Sequence, residues 1–241
     1  NEQNIVISNG AATNGEGGNL KTKDAKPMQL QNVSFLGGTS TSHGGNISIM
    51  RAPTTIEAGT LIDGGNSKAY GGALRVYQTT VTMNGGEIRD GFIPNETQKL
   101  STGGNASPAG GNVYQQGSTF TMTGGEVRNG KAKTNNDGYN IIVTSPASDN
   151  KADVIISGGK IAGGTAAKSG GNIYMDANKV TISGGIIENG TNSYGGNLSV
   201  TTSKITINAG TIVGGIAKEG GNIALSGACE LTINGGEIKD G

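Results

Sequence analysis

Several of the devices that usually fix a fold are missing from this chain. Cys229 is its single cysteine, so no internal disulfide can form. Lysine plus arginine and aspartate plus glutamate number 18 each, giving a formal net charge of zero. Without a basic stripe there is no electrostatic reason to expect a nucleic-acid partner. No apolar run is long enough to cross a bilayer, so no transmembrane segment is expected. Hydrophobic residues make up only 33% of the chain, too few for a broad core and enough for a thin, linear one.

What the chain has in quantity is glycine, 45 residues of it. The glycines come in pairs at long intervals rather than at every third position, which excludes collagen. Apolar residues recur in phase with them, which argues against disorder. The stretch from Gly170 to Tyr194 is one repeat unit: Gly-Gly-Asn, two short alternating segments (Ile173/Met175, then Val180/Ile182), a turn at Gly184-Gly185, Ile187, and a second turn at Asn189-Gly190. A period of roughly 25 residues is the signature of a solenoid.

The Gly-Gly-Asn marks place asparagines at Asn19, Asn46, Asn112, Asn172, Asn197 and Asn222, with variants at Gly71-Gly72-Ala73 and Gly138-Tyr139-Asn140. The second segment is read as Val33-Ser-Phe35, Thr54-Thr-Ile56, Val81-Thr-Met83, Phe120-Thr-Met122, Val154-Ile-Ile156, Val180-Thr-Ile182, Ile205-Thr-Ile207 and Leu231-Thr-Ile233. Strict alternation puts both apolar side chains of each on one face. The third segment supplies Leu61, Ile88, Val127, Ile161, Ile187, Ile212 and Ile238. Ile5-Val-Ile7 and Asn14-Gly15 are matched to Val180-Thr-Ile182 and Asn189-Gly190, so the chain enters in mid-coil. Asn1 is not a methionine and Gly241 follows a repeat turn, so the expectation is a processed or excised piece of a longer protein.

Three strands per coil, separated by glycine-rich corners, predict a right-handed, three-sided parallel β-helix. It forms a single domain over 1–241, with about eight coils of roughly 25 to 32 residues. About five buried apolar side chains at ~1.5–3 kcal/mol each do not offset the ordering of about 25 residues at ~1–2 kcal/mol each. One coil alone should therefore not fold, and stacking supplies the remainder. Insertions near 92–107, 131–137 and 145–153 lengthen corners, as binding loops or as drift in exposed loops.

The repeats Gly71-Gly-Ala-Leu74 and Gly170-Gly-Asn-Ile173, with the Thr-Ile-x-Gly-Gly that follows the second, resemble right-handed β-helix repeats of the pectin-lyase-like class. More particularly, they are similar to repeat regions of bacterial surface adhesins and polymorphic outer-membrane proteins. No regular Phe-x-x-Asn element accompanies them, which is a departure from the latter. The resemblance implies a secreted or cell-surface scaffold, adhesin-like, that contacts a glycan or a host cell-surface protein. The class also includes polysaccharide lyases, glycosidases and tailspikes.

The repeated asparagines, Asn140 included, read as a structural ladder, since a corner asparagine tolerates unusual backbone angles and can bond its neighbours. Thr55, Thr82, Thr121, Thr181, Thr206 and Thr232 form an outward rank interrupted by Ile155; an ice-binding role would need a more regular array, and threonine suits strands anyway. Glu87/Arg89, Glu126/Arg128 and Glu237/Lys239 read as a solvated, charge-balanced surface. The tyrosines are assigned to one side of the tube: Tyr77, Tyr114 and Tyr174 on the first strand, Tyr70, Tyr139 and Tyr194 in the corner before it. With Arg75 they form the candidate ligand-binding set, a platform for sugar rings or a protein partner. No catalytic residue, metal or cofactor is assigned. Asp176 lacks the second carboxylate that glycoside hydrolysis requires, His43 reads as a turn residue, and Cys229 has no histidine in phase. The alternatives are a self-associating element stacking end to end and a polysaccharide-active enzyme.

Overall fold

The computed structural model describes residues 4–94, 98–99, 105–106, 109–132, 140–144, 152–165, 170–176 and 179–241. It is an all-β solenoid of about 7 turns, with no helix among the described residues. The first face is an eight-stranded parallel sheet running from Leu20–Lys23 through Leu74–Tyr77 and Val113–Gln116 to Ile223–Ser226. The second and third faces belong to one 15-stranded sheet, because Lys179–Glu188 and Lys204–Val213 each run unbroken around the corner between them. Every contact between rungs on these faces is parallel, for instance Val180 opposite Ile205 and Ile187 opposite Ile212.

Alternation in the sequence becomes burial in the tube. Val81, Met83, Phe120, Met122, Val154 and Val180 on the second face are all fully buried, as are Ile88, Val127, Ile161 and Ile187 on the third. These columns merge with those of the first face into one continuous core cluster. Some polar side chains that enter it are tied off locally: Gln115 Nε2 donates to the carbonyls of Ser118 and Asp153, and Thr54 to that of Ala52, while Gln115 Oε1 and Thr22 Oγ1 make no hydrogen bond among the described residues.

The first coil is phased differently from the sequence reading. Val33–Leu36 lies on the third face, with Phe35 opposite Ile62, and Met28–Leu30 takes its expected place on the second, opposite Thr54–Ile56. Ile5–Ser8 pairs with Val33–Leu36 and so also belongs to the third face. The counterpart of Asn189 (φ 56°) is Asn9 (φ 57°), not Asn14. Val-Ser-Phe and Val-Thr-Ile have the same alternation, so the pattern cannot distinguish two faces that both bury it; the left-handed residue after the strand does. On the third face Ile62, not Leu61, is the inward residue, since Leu61 stands opposite the outward Glu87. Leu61 and Ile62 are adjacent and both apolar, so alternation was silent there.

A short fourth ladder climbs the corner between the third and first faces, through Ala11–Ala12, Thr39–Ser40, Asn66–Ser67, Phe92–Ile93 and Lys131–Ala132. Phe92–Ile93 and Lys131–Ala132 are thus regular parts of the coil. Beyond the first of them, Gln98–Lys99 pairs antiparallel with Asn105–Ala106. Most of the expected insertions at 131–137 and 145–153 lies outside the described residues.

At the end of this corner the chain must turn sharply into the first face. Gly71 does so at φ 65°, and a Cβ there would sit 2.2 Å from the Leu74 carbonyl oxygen. The asparagines that follow such glycines are buried inside the corner and bond along the axis. Asn112 donates to Asn140 at 2.8 Å, Asn140 to Asn172, Asn172 to Asn197 and Asn197 to Asn222 at 2.7 Å each. Asn19 donates to Asn46 in the same way. Ala73 stands between these two stacks and interrupts the ladder.

Candidate functional site

Two columns of side chains run side by side on the outer surface of the first face. One comes from the strands, where register aligns Lys21, Ser48, Arg75, Tyr114, Ile142, Tyr174 and Ser199. The other comes from the residue preceding each corner glycine pair, where His43 bridges to Tyr70, Tyr70 to Ala109, and Tyr194 to Glu219. Glu16 occupies the same position in the first coil.

The columns interlock. His43 stacks on Tyr70 with ring centroids 5.1 Å apart, and Tyr70 stacks on Tyr114 at 4.2 Å. Tyr114, Ala109 and Ile142 form a small apolar cluster outside the tube, with Tyr70 and Tyr174 packed against it. Burial raises the pKa of the Tyr70 hydroxyl.

Beside this cluster lies an ionic group. Arg75 is 6% exposed and donates through Nη1 to Glu16 Oε2 at 2.8 Å. Ser48 Oγ donates to the same oxygen at 3.0 Å, and Lys21 Nζ lies 3.8 Å from it. The His43 Nε2 is 3.9 Å from Glu16 Oε1. The Arg75 guanidinium also sits over the ring of Tyr77, 4.7 Å from its centroid. Burial lowers the pKa of Arg75, opposed by Glu16. His43 is held down to about 4, first by burial and then by the Arg75 charge, so at neutral pH it is an uncharged stacking ring. Arg75 Nε and His43 Nδ1 are buried and make no hydrogen bond among the described residues.

The tyrosine set is therefore divided. Tyr70, Tyr114, Tyr174, Tyr77 and Arg75 are gathered on adjoining rungs, whereas Tyr194 stands apart on the same side, paired with Glu219 and 45% exposed. Tyr139 lies outside the described residues. Alternation predicts that Tyr114 points outward, and it lies on the outer surface of the first sheet, where its neighbours leave it only 5% exposed; Tyr70 has a ring on either side. The residue types of Glu16, Ser48 and His43 do not by themselves point to this site. Position alone would have found Glu16 and His43, which stand immediately before a corner glycine as Tyr70 and Tyr194 do.

The other faces differ in character. On the second, Thr55, Thr82, Thr121, Ile155, Thr181, Thr206 and Thr232 form one aligned rank. Near Pro27, Pro53, Met28, Gln29, Thr55 and Thr82 this face has an open groove of about 320 Å³. On the third, Arg89 pairs with Asp63 at 2.7 Å, Arg128 with Glu87, and Lys160 with Glu188 at 2.8 Å, a chain of part-exposed ion pairs. Cys229 is half-buried, its thiol 3.0 Å from the Ser226 carbonyl. Among the described residues no group of three or more His, Cys, Asp or Glu side chains is gathered to hold a metal. No helix among them is long and apolar enough to cross a membrane.

Comparison with family models, with curated proteins and with solved structures gives no match.

Proposed function

We propose that the chain is a noncatalytic, extracellular β-helical scaffold, adhesin-like in character, that engages a protein or glycan ligand through its first face. The observation that carries this reading is the apolar cluster on the outside of the first sheet, where Tyr114 and Ile142 are buried with Tyr70 and Tyr174 packed on them. The interior columns already unite the coils, and this second cluster holds aromatic side chains in place on the outer surface. Aromatic side chains with polar tips, held rigid beside an arginine, are the kind of surface that supports recognition.

The test is binding of the intact chain to a glycan array and to a panel of immobilised cell-surface proteins, repeated with Tyr77→Ala, Tyr174→Ala and Tyr194→Ala. Loss of a specific ligand in one or more of these folded variants supports the reading. Binding that all three leave unchanged, or no binding to any member of either panel, overturns it.

A second reading, a self-associating element, is favoured by apolar side chains left exposed on the outer surface along the stack, Ile186 at 40% and Ile216 at 65%. Light scattering across a concentration series tests this reading, and a monomer throughout ends it.

A further inference from the structure

We propose that the Arg75 site accepts a carboxylate from an acidic peptide segment of a partner protein, and that Glu16 is an internal occupant which such a segment displaces. The inference rests on the first face being a binding face and names the chemistry it would select.

Two cations and a hydroxyl converge on one carboxylate here. Arg75 and Lys21 both approach Glu16 Oε2, as does Ser48, so one negative charge answers two positive ones. The match is also incomplete in geometry. A guanidinium binds a carboxylate best through two parallel N–H bonds, yet Glu16 takes its hydrogen bond from Nη1 while Nε is buried and unpaired. The His43 Nδ1 is left in the same condition. Buried polar atoms without partners are uncommon because they forfeit their hydration; here two of them belong to residues whose other nitrogens face the same carboxylate. A carboxylate that took the place of Glu16 and met the Nε–Nη2 edge of Arg75 would make the two parallel bonds that Glu16, held on Nη1, does not.

The Glu16 side chain can leave without unfolding the coil. Its neighbours are anchored by the backbone, Gly15 N–H to Thr41 Oγ1 at 3.2 Å and Gly17 N–H to the His43 carbonyl at 2.9 Å. Around Gly15 there is open space, with nothing within 4 Å of a Cβ placed there. Exchange therefore requires rotation of one side chain. What the site already holds is a glutamate of a glycine-flanked peptide bend, and that occupant favours a peptide ligand over an acidic sugar.

His43 is the sole histidine, so its imidazole proton resonance reports on this site alone. The experiment titrates a short capped peptide bearing one glutamate, and its glutamine counterpart, into the intact chain and into Glu16→Ala. An internal carboxylate competes at an effective concentration on the order of millimolar, so Glu16→Ala should bind the glutamate peptide at least about tenfold more tightly. The glutamine peptide should leave the resonance unmoved, and adding Arg75→Met should abolish the response. If Glu16→Ala does not fold, Glu16→Gln serves in its place, since it keeps the side-chain volume and removes the charge. A folded variant whose His43 resonance fails to respond to the glutamate peptide overturns the proposal, as does a stronger response to an oligogalacturonide, which would assign the site to an acidic sugar. Either result leaves the first-face reading to its own test with Tyr77, Tyr174 and Tyr194.

Discussion

Tyr70, from the corner, and Tyr114, from the first-face strand one rung further on, lie face to face with ring centroids 4.2 Å apart. The same residue type thus has two roles on one side of the tube. Tyr114→Ala should lower the unfolding free energy by about 3 kcal/mol, the usual cost of emptying a buried aromatic site. Tyr194, 45% exposed, should change it by no more than about 0.5 kcal/mol when made alanine. Urea unfolding of both variants checks the contrast, and equal effects would mean that the stack is not structural.

The asparagine ladder predicts substitutions of opposite sign. Asn172 accepts from Gly164 N–H and Asn140, and donates to the Glu188 carbonyl and Asn197. Asn172→Leu strands several buried partners at once and should cost roughly 3 kcal/mol or more. Ala73→Asn would join the two stacks and should stabilise by about 1 kcal/mol. Thermal or chemical denaturation reads both; a destabilising Ala73→Asn would show that the gap at Ala73 has no room for the amide.

Gly71 and Gly15 make a second contrasting pair. At Gly71 the left-handed backbone (φ 65°) and the Leu74 carbonyl 2.2 Å from a would-be Cβ both oppose a side chain. Gly71→Ala should destabilise by about 2 kcal/mol or more. Gly15 has open space around it, so Gly15→Ala should be neutral to within about 0.5 kcal/mol. Circular dichroism melts of the two variants suffice to check this.

His43 links stability to pH. Its native pKa is about 4, lowered from 6.5 by burial and by Arg75 and Lys21, with Glu16 pulling the other way. Between these values the unfolded chain binds the proton and the folded chain does not, so this contribution is full above pH ~6.5 and falls as the pH drops toward ~4. The loss is at most about 3 kcal/mol. His43→Phe keeps a ring against Tyr70 and should flatten the curve in that window; an unchanged slope from pH 6.5 to 4 would sink the assignment.

Much of the fold was written in the spacing of Gly-Gly-Asn and in the alternation of Val180-Thr-Ile182 and its counterparts. Phase in the first coil was not, because Val33-Ser-Phe35 carries the same pattern on a different face. Leu61 and Ile62 show a related ambiguity: two neighbouring apolar residues leave the choice of inward residue to the register with Glu87 and Ile88. The site was legible as a side of the tube but not as a set of contacts. Register aligns Arg75 with Ser48 and Tyr114, whereas Glu16 reaches Arg75 along the axis, past His43, by a direction its side chain takes. No periodicity in the sequence encodes that direction.

The ladder has one more property. From Asn112 to Asn222 every side-chain amide gives its N–H toward the later coil and its carbonyl oxygen toward the earlier one. Their dipoles therefore add head to tail, as peptide dipoles do in a helix, and each bond polarises the next. The corner that looks like mere packing is thus a polarised filament inside the rod, negative toward Ala73 and positive at Asn222.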